Sequence, residues 1–302
     1  VFGALLGVGL VAAAAPLALA RSPRATSVLD PLAERLPWAG LTRIFAGPSR
    51  FADVERAART AFERARPGLL PPRSLEPLLA FEPPRHRPDV LLVVVESLRG
   101  DALDPETMPS LWAASARGLR RTDHGATSNA SHYGFFALLY GRSPLFYFET
   151  LDAGERPTLP ALLRAFGYER HHLTCSDVAW REMDRFMGAP DFTVERLRGR
   201  SLPDCDAAVV ARASALLAER GRAPRFVLVF LTSTHFGYHH PEEATPFRPS
   251  MPPPNALELD PARDRVGLVN RYRNSAHAVD ERIGELLRPL DPGSTQIGRA
   301  HV

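Results

Sequence analysis

Two short runs of branched apolar residues set the strongest limit on how this chain can fold. PDVLLVVVES (88–97) and FVLVFLTS (226–233) are apolar for most of their length and end in polar residues. A run of that length without polar alternation suits a strand buried on both faces, as in the interior of a parallel sheet. Between them, apolar spacing predicts helices over 107–117, 132–140, 157–166 and 206–220, and ERHHLTC (169–175) reads as a third strand. Pro109, Pro144 and Pro160 fall near helix starts or in loops, where a missing N–H costs little. Buried strands alternating with helices imply an α/β fold, a doubly wound, mostly parallel sheet with helices on both faces. In such sheets chemistry collects at the carboxyl ends of the strands. The polar ends lie there: Glu96-Ser97 after the first run, Thr232-Ser233-Thr234-His235 after the second.

The flanks read differently. Residues 1–20, VFGALLGVGLVAAAAPLALA, carry no charge, and about 20 apolar residues span a bilayer core. They start at Val and lack a basic leading region, so the expectation is the last helix of a larger membrane part, kinked at Pro16, rather than a signal peptide. Residues 21–87 read as a polar connector with short amphipathic helices around 28–36 and 50–66 and a stretch from Pro71-Pro72 to Pro83-Pro84. The compact domain is expected over 88–296. The helical stretch RYRNSAHAVDERIGELLRPL, helix 271–288, is followed by DPGSTQIGRAHV. Ile-Gly-Arg-Ala-His-Val can be encoded by ATCGGAAGAGCACACGTC, which resembles the start of a common sequencing adapter. Residues 297–302 are therefore expected to be a non-native tail on an incomplete domain.

Charge excludes one class of partner. All 37 cationic residues are Arg, yet the formal net charge is only +3. Acids and Arg are interspersed, as in DPLAERL and FADVERAARTAFERAR, which suits solvated helix faces. A nucleic-acid binder would cluster its cations, so no nucleic-acid partner is expected. The two cysteines, Cys175 and Cys205, have no Cys-x-x-Cys spacing, which argues against a thiolate metal site. Two free thiols are the preferred reading; a disulfide becomes possible if the domain is extracytoplasmic.

Three stretches can carry chemistry. Glu96 follows five apolar residues, and a carboxylate there is costly if buried without a partner. A hard divalent cation would compensate it; the plainer alternatives are a solvated strand end or a pair with Arg99. Asp101, Asp104 and Glu106 read as turn and capping acids. In GATSNASHYGFFALLYG (125–141), small polar residues precede an apolar helical run, which places Ser131 near a helix N-terminus. Free N–H groups and the helix dipole favour phosphate or sulfate there, and a base or metal would make the hydroxyl a nucleophile. The plainer alternative is an N-cap Ser. In THFGYHHP (234–241), the histidines can bind metal, hydrogen-bond a phosphoryl oxygen, or simply sit in a surface loop. No GxGxxG, Walker-type loop, HExxH or GxSxG is present.

Four stretches in order, PDVLLVVVESLRGDALDPETMPSL, SNASHYGFFALLYG, LTSTHFGYHHP and YRNSAHAVDERIGELL, resemble the sulfatase-like branch of the alkaline phosphatase superfamily. The resemblance runs from about Pro88 to Pro289 and is to lipoteichoic acid synthase, related phosphoglycerol transferases and the sulfatase-like domain of bacterial inner-membrane proteins. It implies Glu96 as a metal ligand and Ser131 as nucleophile and ligand of a divalent ion (Mn, Mg, Zn or Ca). It also implies His235 as a substrate contact, with His172, Trp180 and Arg181 holding the substrate headgroup. The substrate class it implies is a lipid-linked phosphodiester, such as phosphatidylglycerol or phosphatidylethanolamine, met on the periplasmic side of a bacterial inner membrane. Two departures matter. Ser131-His132-Tyr133-Gly134 lacks the Pro and Arg of the formylglycine motif, which disfavours sulfuric ester hydrolysis. The family's later Asp-His pair of metal ligands should follow helix 271–288 and does not occur, so this chain alone is expected to be inactive. A non-catalytic membrane regulator that binds an envelope lipid is the alternative.

Overall fold

The computed structural model describes residues 82–121, 125–219, 223–256, 258–290 and 295–301. The expected membrane helix over 1–20 and the connector helices around 28–36 and 50–66 lie outside the described residues. Among the described residues no helix is long and apolar enough to cross a membrane.

Strand β1, Asp89–Val95, comes first, followed by helices α1 (Pro109–Ser115), α2 (Ser131–Tyr140), α3 (Tyr147–Asp152) and α4 (Thr158–Ala165). Then come β2 (Glu169–Thr174), the single turn α5 (Asp184–Met187), β3 (Thr193–Arg196), α6 (Leu202–Ala218), β4 (Arg225–Leu231), α7 (Pro261–Leu287) and β5 (Thr295–His301). The five strands form one sheet in the order β3-β2-β4-β1-β5, and every pairing is parallel. All seven residues of β4 are buried. That fits the unbroken apolar runs, because a central parallel strand meets helices on both faces. β5 pairs with β1 from Asp89↔Thr295 to Val95↔His301 and so takes in most of the stretch 297–302.

Strand parity decides which helix meets which face. Leu91, Val93 and Val95 lie beside Val227, Val229 and Leu231 in register, and all six join one core with Val209, Val210, Ala213 and Leu216 of α6. Tyr272, Ala276, Val279, Ile283 and Leu286 of α7 complete it. Their alternating spacing of four and three residues makes one apolar stripe along that helix. The opposite face receives α2, where the Phe135 ring meets Phe230 of β4 edge to face at 4.9 Å. Helix α2 stops at Gly141, which takes the left-handed φ of +64° that glycine adopts without a Cβ penalty.

Several expectations are corrected. The expected helix 271–288 begins at Pro261, because Asp260 caps it by accepting from the N–H groups of Ala262 and Arg263 at 2.9 and 3.2 Å. An Asp cap followed by Pro at the first helical position is a start signal, and it lay ten residues upstream. The cysteines do not stay as free thiols: Cys175, just past β2, is bonded to Cys205 in the first turn of α6, with Cα atoms 6.1 Å apart.

Candidate active site at the carboxyl ends of β1 and β4

Parity also aims Glu96. It is even-numbered, like Leu92 and Val94, and so lies on the side of the sheet that receives α2. Its N–H continues the ladder to the Leu231 carbonyl at 2.9 Å, and its own carbonyl accepts from the Thr234 hydroxyl. The side chain is 8 % exposed. Its Oε1 accepts from the Ser97 hydroxyl at 3.0 Å and its Oε2 from the Ser131 hydroxyl at 2.8 Å. Two donors on a buried carboxylate replace the water it has lost. It is neither a solvated strand end nor a partner of Arg99, which instead grips Asp101 with Nε 2.8 Å from Oδ1.

The strand turns sharply after Glu96. Ser97 has a φ of +52°, a left-handed conformation that a residue with a Cβ adopts at a cost. Tyr272 of α7 holds this turn: its hydroxyl donates to the Ser97 carbonyl at 3.3 Å and accepts from the Arg99 N–H at 2.7 Å. Burial raises the Tyr272 hydroxyl to a pKa of about 12.

Ser131 is the first residue of α2, behind Ala130 at the N-cap, and no side chain among the described residues caps this helix. The serine is therefore no cap; its hydroxyl is spent on Glu96. Three other helices, α1, α6 and α7, have acceptors at their starts. Ser201 caps α6, Asp260 caps α7, and the Asp280 carboxylate accepts from the Ser110 and Leu111 N–H groups of α1 at 2.7 and 2.8 Å. In α2, Tyr133 and Gly134 donate to the Ala130 carbonyl. The N–H groups of Ser131 and His132 are those a helix cannot satisfy from within. An uncapped N-terminus beside a hydroxyl offers an anion both N–H donors and a favourable dipole.

Trp180 stands beside this terminus. Its ring lies 5.1 Å from that of His132, which also meets Tyr133 at 3.9 Å and Tyr147 at 5.3 Å. The Tyr147 hydroxyl donates to the Arg181 carbonyl, so Arg181 belongs to the same group. Burial, and secondarily the Arg181 charge, hold the His132 ring below its ordinary pKa. Sequence reasoning passed over His132, Tyr133 and Tyr147, whose helical spacing resembles that of core residues.

His235 is exposed in the turn after β4, one residue past the Thr234 that holds the Glu96 carbonyl. That turn is fixed from below by Asp206, 1 % exposed, whose carboxylate accepts from the Thr232 and Ser233 N–H groups, each at 2.9 Å. Burial raises its pKa, and these hydrogen bonds oppose the rise. Nothing in the sequence around Asp206 marked it for this role. From above, α7 holds the rest of the loop. Ser275 donates to the Ser233 and His239 carbonyls at 2.9 and 2.8 Å, and Arg271 donates to the Gly237 carbonyl at 2.7 Å. His239 and His240 are partly buried in this loop.

The structure does not bring His172 to this group. It points into the packing of the sheet, 1 % exposed, beside Phe192. Burial holds it neutral, at a pKa of about 4. Its expected contact with a headgroup is therefore replaced by a place in the core, two residues short of the end of β2.

A divalent ion at Glu96 would find two oxygens there, one from the carboxylate and one from Ser131. Among the described residues no group of three or more His, Cys, Asp or Glu side chains is placed to hold a metal ion. Catalytic zinc sites take three protein ligands, so Glu96 and Ser131 by themselves do not complete one.

Residues 88–295 match the sulfatase family. In structure the chain is similar to the lipooligosaccharide phosphoethanolamine transferase EptA of Neisseria meningitidis, with a TM-score of 0.59 and 14 % identity over 88 % of this chain and 51 % of that one. It is similar to the lipoteichoic acid synthase LtaP of Listeria monocytogenes, with a TM-score of 0.56 and 15 % identity over 75 % and 60 %. It is also similar to the C-terminal periplasmic domain of EptC from Escherichia coli in complex with Zn, with a TM-score of 0.51 and 16 % identity over 72 % and 63 %. The matched region thus takes up between half and two thirds of each of these proteins. At such identities the likeness is one of fold, an α/β parallel sheet with flanking helices. The family match reaches from the residue before β1 to the first residue of β5, and on that ground the chain belongs to the sulfatase family of the alkaline phosphatase superfamily.

Proposed function

We propose that the intact protein is a metal-dependent phosphoryl-type transferase or hydrolase that acts on a lipid-linked phosphodiester of the bacterial envelope, with Ser131 as nucleophile. The observation that carries this reading is the 2.8 Å hydrogen bond from the Ser131 hydroxyl to Glu96 at the uncapped start of α2. A hydroxyl is activated by a base within hydrogen-bond reach, and the buried carboxylate occupies that place. Ser131 Oγ attacks phosphorus while Glu96 takes its proton. The bond from phosphorus to the lipid oxygen breaks, and the departing alkoxide takes a proton from water. The acceptor hydroxyl, or water, then attacks the phosphoserine diester and gives up its proton to solvent, and Glu96 returns its proton to Ser131. The N–H groups of Ser131 and His132 face the charge that develops on phosphorus-bound oxygen, with His235 at the rim as a further donor. Trp180 and Arg181 flank the headgroup.

The Zn-bound EptC domain, of the same fold, supports a divalent cation (Mn, Mg, Zn or Ca) as cofactor of the intact protein. The phosphoethanolamine transferase and lipoteichoic acid synthase likenesses support a lipid-linked donor. The Cys175–Cys205 disulfide supports an oxidising compartment, the periplasmic side of the inner membrane. The test is turnover of fluorescent phosphatidylethanolamine and phosphatidylglycerol by the intact gene product. Ser131→Ala is expected to abolish it, and Glu96→Gln to lower it by about 10²–10⁴-fold, the usual contribution of a general base. Unchanged turnover in Ser131→Ala refutes the nucleophile.

A further inference from the structure

We infer that Leu145, Phe148 and Trp180, together with the Arg181 guanidinium, form a surface that seats this domain in the interfacial layer of an anionic lipid bilayer. The inference rests on the lipid-linked substrate proposed above and adds the face through which that substrate is met.

These side chains are exposed although large and apolar: Leu145 and Phe148 at 60 %, Trp180 at 49 %. Residues 145 and 148 stand three apart across the junction of a 3-10 turn, Pro144–Phe146, with α3. At that spacing they share a side. The opposite side of the same segment, Phe146, Tyr147 and Leu151, is already buried in the domain. Leu145 and Phe148 are thus a second apolar face, not a loose part of the core. Tyr147 joins this face to Trp180. Its ring lies 5.2 Å from Phe148 and 5.3 Å from His132, and His132 lies 5.1 Å from Trp180. The patch therefore borders the first turn of α2, where Ser131 sits. The backbone at Arg181 and Glu182 is left-handed, with φ of +53° and +61°, a strained state that elsewhere marks binding segments.

Two observations choose a bilayer as the occupant. The first is charge. Arg181 is exposed and has no ion pair among the described residues, and its guanidinium lies 5.7 Å from the centre of the Trp180 ring. Trp beside an Arg with no acid partner among the described residues matches the headgroup level of a membrane, where indole rings settle and cations meet phosphate. The second is tethering. Residues 1–20 are uncharged and apolar, and residues 21–87 join them to the domain. A bilayer that holds the first segment is presented to the patch at high effective concentration. A donor lipid then reaches Ser131 with its headgroup while its acyl chains stay in the membrane.

The experiment uses the full chain with Trp38→Phe and Trp112→Phe, which leaves Trp180 as the sole remaining tryptophan of the three. The protein is reconstituted in phosphatidylethanolamine–phosphatidylglycerol vesicles whose acyl chains carry bromine just below the headgroup. The expected result is loss of Trp180 emission relative to unbrominated vesicles. Adding Leu145→Glu and Phe148→Glu is expected to restore the emission, with near-UV circular dichroism reporting that the domain stays folded. Equal emission in the two kinds of vesicle overturns the inference. That outcome includes the case in which residues 1–20 or a second copy cover the patch. Quenching, with no lipid turned over by the intact gene product, keeps the surface and defeats the enzymatic reading, whereas turnover by that product without quenching does the reverse.

Discussion

Titrating the folded protein with acid tests the burial of His172. The ring is 1 % exposed. Its Nδ1 lies 3.4 Å from the Met187 carbonyl, and its Nε2 is buried with no hydrogen-bond partner among the described residues. Desolvation of the charged form therefore lowers its pKa from 6.5 to about 4, and the Met187 carbonyl recovers only part of the loss. The unfolded chain takes up this proton near pH 6.5 and the folded chain only near 4, so between those values the unfolded state binds more protons. The contribution of His172 is complete above the unfolded pKa and lost as the pH falls through the folded one. Moving a pKa from 6.5 to about 4 is worth about 3 kcal/mol at roughly 1.4 kcal/mol per pH unit, a large share of the ~5–15 kcal/mol that holds a domain together. Asp206 and Asp280 act with the opposite sign. Burial raises both carboxyl groups, so acid favours their folded forms. A His172→Leu variant keeps both aspartates and removes the titrating ring. Urea unfolding of both proteins in detergent, followed by near-UV circular dichroism across this range, separates the terms. The wild-type stability is expected to fall more steeply than that of the variant, by about 1.4 kcal/mol per pH unit. Parallel curves would refute the assignment of a neutral, buried His172.

Other perturbations probe the frame of the site. Breaking the Cys175–Cys205 bond, by Cys175→Ala with Cys205→Ala, opens a loop of 30 residues; the chain-entropy relation puts the loss near 3.6 kcal/mol, readable as a lower urea midpoint than that of the oxidised protein. Tyr272→Phe leaves the Arg99 N–H and the Ser97 carbonyl without their phenol partner. The expected cost is about 1–3 kcal/mol, together with faster amide exchange at Arg99, and an unchanged exchange rate there would remove Tyr272 from the description of the turn.

Much of this protein was legible from its sequence. The unbroken apolar runs announced β1 and β4, because a strand buried on both faces cannot carry alternating polar residues. The run after Ser131 announced α2. Glu96 and Ser131 were each visible as polar residues at the ends of apolar elements, and the ordered stretches pointed to the family that the match over 88–295 then established. Helix α7 was read ten residues too short, because its apolar stripe begins later than its Asp260 cap. The motif spacing that points to His172 takes no account of depth along β2: register puts the ring on the same side of the sheet as Glu96, but two residues before the strand end, where it packs beside Phe192.

What only the tertiary structure decided was adjacency. Glu96 and Ser131 are 35 residues apart and share a hydrogen bond; Tyr272 closes the Ser97 turn from 175 residues away; the cysteines, 30 apart, lie within bonding distance. Periodicity reports how each segment presents its side chains to its surroundings. It carries no measure of what stands opposite. That depends on strand order and register, and the sheet set both when it placed β4 beside β1 and α7 across their ends.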